Sequence, residues 1–231
     1  MQHSSGMARS LSCLLGVLCL MVALPLVGAA QNPPATPDTL PPGQELPGSV
    51  IPAETDTTDK DAPYVATDQR IVRRMLEVAD VSEDDVVYDL GSGDGRIPLT
   101  AATEYGARGV GVEIDPDLVA KSRAKAKAAG VTDRVEFRQQ DLFETTLGDA
   151  TVVALYLWPE INVKLRPKLL RQLDPGDRIV SHDFRMGEWE PDRVVDAGQD
   201  KTGMATIYLW VVPEDPPDEL MRPPANPGDD R

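Results

Sequence analysis

The sequence predicts an α/β fold: a mostly parallel sheet with helices on both faces, closed by an antiparallel last strand. Three observations predict it. Short apolar strands alternate with helical stretches through the middle of the chain. A glycine-rich loop joins the first strand directly to a helix. Two late strands, at 193–195 and 205–212, have no helix between them, so they must turn back as a hairpin.

The elements follow in order. Residues 67–79 carry Ile71, Met75, Leu76 and Val78 at near-helical spacing. Val86-Val87-Tyr88-Asp89-Leu90 is a strand, and residues 96–105 form a helix with Pro98 in its first turn. Gly109-Val110-Gly111-Val112-Glu113 is the second strand. The helix over 116–129 has Asp115 as N-cap, Pro116 at its first position and Gly130 after its end. Residues 134–138 and 151–156 are the third and fourth strands. A helix over 160–173 closes at Asp174-Pro175-Gly176, and residues 178–182 are the fifth strand.

The flanks differ in kind. Met7-Ala8-Arg9, an apolar run over 11–27 and the small residues Gly28-Ala29-Ala30 make residues 1–30 a signal peptide or an N-terminal anchor. The domain is therefore expected to be exported, periplasmic or secreted, or membrane-anchored through residues 11–27, with membrane contact through that segment. Arg9 before the run and acidic residues after it favour translocation. Residues 31–62 and 213–231 are rich in proline and are expected to be a disordered linker and a disordered tail around one domain, 63–212.

Composition narrows the function. The formal net charge is −15, which argues against a broad grip on nucleic acid. Both cysteines, Cys13 and Cys19, lie in the apolar run, and the histidines are His3 and His182 alone, so no metal site is expected. A monomer is the expected state.

The glycine loop carries the chemistry. Gly91-Ser92-Gly93-Asp94-Gly95 lets a ligand approach the backbone at the carboxyl end of the first strand. A dinucleotide fingerprint would need glycine where Arg96 stands. Asp89 and Asp94 flank the loop, and carboxylates repel a pyrophosphate but attract an ammonium and a sulfonium. Glu113, at the end of the second strand, is placed to accept from ribose hydroxyls. Asp141, after the third strand, can accept from an adenine amine while Leu142 or Phe143 covers the ring. Each residue alone could be an ordinary turn, strand end or cap. Together, in order and each at its own strand end, they point to S-adenosyl-L-methionine, with Asp89, Gly91, Gly93, Asp94, Glu113, Asp141 and Leu142 as its contacts.

At these residues the chain resembles the class I S-adenosylmethionine-dependent methyltransferases over 63–212. Asp89 to Gly95 matches the first motif, Glu113 the second and Asp141 the third. The resemblance implies a Rossmann-like sheet of seven strands with the last antiparallel. Ala62-Pro63-Tyr64-Val65-Ala66-Thr67, followed by a helix and the glycine loop, is similar to the lysine methyltransferases related to the mitochondrial ATP synthase c-subunit enzyme. It implies that the Pro-Tyr-Val segment caps the cofactor pocket. The stretch Leu155 to Asn162 lacks the Asn/Asp-Pro-Pro-aromatic motif of enzymes that methylate DNA bases or glutamine.

The expected acceptor-side residues are Tyr64 and Trp158 as channel walls and Glu160 as orienting group or base. Against this, Trp158 could be core and Glu160 a favourable charge at a helix start. Asp183 with His182 is a second candidate, weighed against a satisfied strand end. The leading expectation is an N-methyltransferase acting on protein lysine. The alternatives are a small-molecule methyltransferase and a non-catalytic cofactor-binding module.

Overall fold

A computed structural model describes residues 66–223. The seven strands are β1 Val86–Leu90, β2 Arg108–Glu113, β3 Val135–Gln139, β4 Val152–Leu155, β5 Arg178–His182, β6 Arg193–Asp200 and β7 Gly203–Val211. The helices are α1 Gln69–Val78, α2 Arg96–Glu104, α3 Pro116–Ala129, α4 Pro159–Gln172 and α5 Asp218–Met221. The strands lie side by side in the order β3-β2-β1-β4-β5-β7-β6. Strands β1 to β5 pair in parallel, and β7 runs antiparallel between β5 and β6. The expected fold class is the observed one.

Both faces of the sheet are covered, which is why β1 and β4 are buried at every position. One core cluster takes Tyr88, Leu90, Val153, Leu155 and Ile179 with Leu165 and Leu169 of α4. The other takes Val87, Val152, Ala154 and Val180 with Ile71, Met75 and Leu76 of α1 and Ile97 of α2. Asp68 caps α1 by accepting from the Arg70 N–H at 2.8 Å, and Asp115 caps α3 by accepting from Asp117 at 2.9 Å. Gly130 ends α3 in the left-handed conformation, as its position after the apolar pattern requires.

The parallel order brings the ends of β1, β2, β4 and β5 to one edge, where open α/β sheets bind ligands. β4 stops at Leu155, one residue short of the expected end, and Tyr156 to Trp158 leave the sheet toward that edge.

The first part of the tail corrects an expectation. Residues 213–223 are not a disordered tail. Leu220 and Met221 rest on the α4-side core, and their carbonyls accept from Arg166 Nε (3.1 Å) and Arg171 (2.8 Å). Proline content hid two apolar anchors and the cations that hold them. Residues 1–65 and 224–231, with the expected signal, linker and Tyr64, lie outside the described residues. Among those described, no helix is long and apolar enough to cross a membrane.

Two glycines separate crowding from backbone strain. A Cβ at Gly111 would stand 2.5 Å from Phe137 Cδ1 and 2.7 Å from Ser92 Oγ, whereas one at Gly130 would meet nothing within 4 Å but sit at φ +69°. Gly111→Ala should cost about 1–3 kcal/mol through overpacking beneath the glycine loop. Gly130→Ala should cost about 1–2 kcal/mol through backbone strain alone. Urea denaturation read by circular dichroism measures both, and calorimetry should find cofactor affinity reduced in the first and kept in the second.

Candidate cofactor and acceptor site

The glycine loop is shaped by bonds to its neighbour strand. The Gly91 and Ser92 N–H groups both donate to the Val112 carbonyl at 2.9 Å, and Gly95 donates to Ser92. Gly93 donates to Glu113 Oε2 at 2.8 Å. Gly91, Gly93 and Gly95 all have positive φ. These donors are turned inward. A pyrophosphate loop needs them turned to the ligand, so the geometry agrees with Arg96 in excluding a dinucleotide.

Glu113 uses each carboxylate oxygen once on the backbone, Oε2 on Gly93 and Oε1 on Asp115 (2.9 Å). A carboxylate has about four acceptor sites, so capacity remains for ribose hydroxyls.

Asp89 is 3% exposed, and among the described residues no hydrogen bond reaches its carboxylate. Burial, reinforced by the negative charges of Glu113 and Asp94, pushes it up to about 8. A buried carboxylate without a donor is costly unless a cation or donor meets it. An ammonium group is a partner of that kind.

The oxygens of Asp94 are taken by Arg96, at 2.8 and 2.9 Å, and by Lys125 at 2.5 Å. Burial acts to raise it, but these bonds hold it well below the usual carboxylate range. Arg96 also donates to the Thr67 carbonyl. Asp94 therefore joins the loop to α3 and, through Arg96, to the segment before α1, with its charge met by two cations.

Asp141 folds its own turn: Oδ1 accepts from the Phe143 N–H at 2.7 Å. The Phe143 ring lies under Lys164 Nζ at 4.0 Å, and Leu142 rests partly buried against the core. Lys168 ties the turn to α4 through the carbonyls of Leu142 (3.1 Å) and Phe143 (2.6 Å).

The acceptor side begins where β4 ends. A Cβ at Gly91 would touch Leu157 Cδ2 at 3.0 Å, so the exit of β4 packs on the glycine loop. Trp158 is 47% exposed, which excludes the core reading. Its ring lies 5.4 Å from that of Phe184, and Phe184 stacks on Tyr156 at 6.0 Å. Glu160 is exposed in the first turn of α4 with no partner among the described residues. Asp183 Oδ2 and Asp200 Oδ2 lie 3.4 and 3.6 Å from His182 Nε2, and the His182 ring lies 4.2 Å from that of Tyr156. Tyr156, Phe184 and Asp200 were missed in the sequence. Tyr156 was read as the last strand residue, and Asp200 reaches the site through a hairpin that no local pattern reveals. Among the described residues no group of side chains could hold a metal ion.

Fold and site together define a class I S-adenosylmethionine-dependent methyltransferase. Residues 89–193 match the family model of the ANTKMT methyltransferase domain. The chain is 44% identical over 153 residues to a protein-lysine N-methyltransferase of Saccharolobus islandicus, covering 66% of this chain and 94% of that one. It is 38% identical over 147 residues to the mouse adenine nucleotide translocase lysine N-methyltransferase, covering 63% of each. A crystal structure described as an RNA methyltransferase from Salinibacter ruber in complex with S-adenosyl-L-homocysteine superposes with a TM-score of 0.63. It is 60% identical, over 68% of this chain and 99% of that one. The chain belongs to the ANTKMT methyltransferase family, and S-adenosylmethionine is its cofactor.

Asp89 makes cofactor binding depend on pH. A cation beside it restores the charged form, so binding below about pH 8 should release a proton, and affinity should rise with pH up to about 8. Calorimetry in buffers of different ionisation enthalpy reads the release, which Asp89→Asn should abolish. In the cofactor-free protein the folded-state value is raised above 3.8, so the contribution of Asp89 to stability is lost as pH rises from about 4 to about 8. Thermal melts across that range should show the decline, and Asp89→Asn should flatten it. Glu113→Ala should weaken cofactor binding at least tenfold, because it removes the ribose acceptor and frees the Gly93 N–H together.

Proposed function

We propose that this protein transfers a methyl group from S-adenosylmethionine to the side-chain amine of a protein lysine. The observation that carries the reading is the row of rings Trp158, Phe184 and Tyr156, which starts where the exit of β4 packs on the glycine loop and ends on His182 with its neighbouring carboxylates. A lysine stem fits an apolar, aromatic passage. Its ammonium, and the methylammonium formed from it, are favoured by ring faces. The protein-lysine activity named for the Saccharolobus relative supports the same acceptor.

Transfer is a direct displacement. The chain must align amine and methyl group, exclude water and neutralise the amine. Alignment supplies roughly 7–11 kcal/mol. Deprotonating an amine of pKa about 10.4 at neutral pH costs on the order of 4–5 kcal/mol. Asp89 and Glu113 hold the cofactor, Asp141 and Leu142 border its base, and Trp158 forms one wall of the acceptor passage. Tyr64, outside the described residues, is a further candidate for the acceptor channel on its sequence context alone. Residues 1–30 are assigned to export or anchoring, which fractionation with a C-terminal tag tests.

The Salinibacter relative is described as acting on RNA. A net charge of −15 opposes a phosphate grip. Labelled-methyl transfer to proteins, RNA and small amines decides between them. The expected result is label on protein, recovered as methyl-lysine after hydrolysis, with none in RNA. Label in RNA or in small molecules alone overturns the reading.

A further inference from the structure

His182 ends β5 with its ring fully buried, yet neither ring nitrogen makes a hydrogen bond. A polar group buried without a partner is costly, and a purely structural role leaves that cost unexplained. Its surroundings are built. Asp183 Oδ2 lies 3.4 Å from His182 Nε2, and Asp200 Oδ2 lies 3.6 Å from the same atom. Each carboxylate has committed its other oxygen to the backbone. Asp183 Oδ1 accepts from Thr206 at 2.8 Å, and Asp200 Oδ1 accepts from Thr202 at 2.7 Å and Gly203 at 3.0 Å. Two oxygens are thus left aimed at one imidazole nitrogen. Tyr156 covers the ring, with centroids 4.2 Å apart.

Asp183 is also strained. It is a non-glycine residue at φ 61°, held there by Thr206, whose carbonyl accepts its N–H at 2.7 Å. Strain of this sort persists where the surroundings over-determine it, commonly at functional sites. Asp183 is the accessible member of the group, with a side chain 20% exposed, while Asp200 is 1% exposed.

Resting on the lysine reading, we propose that Asp183 and His182 form the proton-accepting pair for the acceptor amine, with Asp200 positioning the imidazole. The acceptor ammonium meets Asp183 Oδ2 beyond the aromatic passage. Its proton moves to that oxygen and on to His182 Nε2, leaving the amine with its lone pair. The nitrogen–methyl bond forms as the methyl–sulfur bond breaks, and sulfur keeps the electron pair. The imidazolium, held between two carboxylates, returns its proton to solvent by the same path once product leaves. Burial keeps the resting imidazole neutral and able to accept, against the pull of Asp183 and Asp200, while Tyr156 is the titratable group facing the ring from the segment after β4.

The test compares His182→Gln, Asp183→Asn and Asp200→Asn with the wild type from pH 6 to 10, using a lysine peptide that the wild type methylates. At pH 7 kcat should fall about a hundredfold in the first two and about tenfold in the third, with KM for the peptide changed little. The deficits should shrink toward pH 10, where solvent itself supplies free amine. A constant deficit across pH, or activity within twofold of wild type at pH 7 in the first two, overturns the pair. A readout independent of turnover uses the two histidines of the chain. With S-adenosylhomocysteine present, the lysine peptide should shift the His182 imidazole resonance of the wild type and leave that of His3, and no shift overturns the proposal. Absence of lysine labelling by the wild type is a separate result, and it counts against the lysine reading itself.

Discussion

The site depends on one buried carboxylate and the two cations that meet it. Asp94 binds Arg96 and Lys125, and Arg96 continues to the Thr67 carbonyl. Three segments distant in sequence meet there: the approach to α1, the glycine loop and the third turn of α3. With its own charge spoken for, Asp94 fixes the loop that carries the cofactor contacts. Glu113 fastens the same loop from the other side through Gly93. A loop of glycines has little conformational preference of its own. Its shape is imposed by these two acids together with the bonds from Gly91 and Ser92 to the Val112 carbonyl.

That arrangement explains how Asp89 can be tolerated. It sits at the end of a fully buried strand, near two other acids and without a donor. In a folding unit designed for stability alone this would be a fault. Here the strand carries near its end a carboxyl that the free protein keeps protonated up to about pH 8 and that a positively charged ligand ionises, and the parallel pairing of β1 with both β2 and β4 keeps it in place.

Much of this was legible because it is local. The caps of α3, the length of β5 and the alternation of elements follow from residues within a few positions of one another, and the expected bounds match the observed ones there. Asp89, Glu113 and Asp141 stood out because each lies at or close to the carboxyl end of a strand. The ties of Asp94 were not legible, because Lys125 lies 31 positions away and resembles any other surface lysine of a helix. Nor does a sequence show what Glu160 faces, which is exposed in the first turn of α4. Asp200 reaches His182 only through the β6–β7 hairpin, whose register shifts between Asp196 and Gly198. The tail was misjudged on proline content, although two apolar residues sufficed to anchor it.

Arg166 has a place in this unlike that of the other buried charges. It donates to the Met186 carbonyl at 3.0 Å and to the Leu220 carbonyl at 3.1 Å, and among the described residues it forms no ion pair with a carboxylate. A guanidinium stays charged at any pH the protein survives, and carbonyl oxygens do not titrate. Acid reaches the clamp around Asp94 only by protonating that carboxylate, far below its usual range, and screening salt weakens the exposed pairs on α1, but neither acts directly on this joint. The loop after β5 and the C-terminal segment are therefore held together by a fastening indifferent to acid and nearly so to salt, whereas the cofactor loop is held through carboxylates.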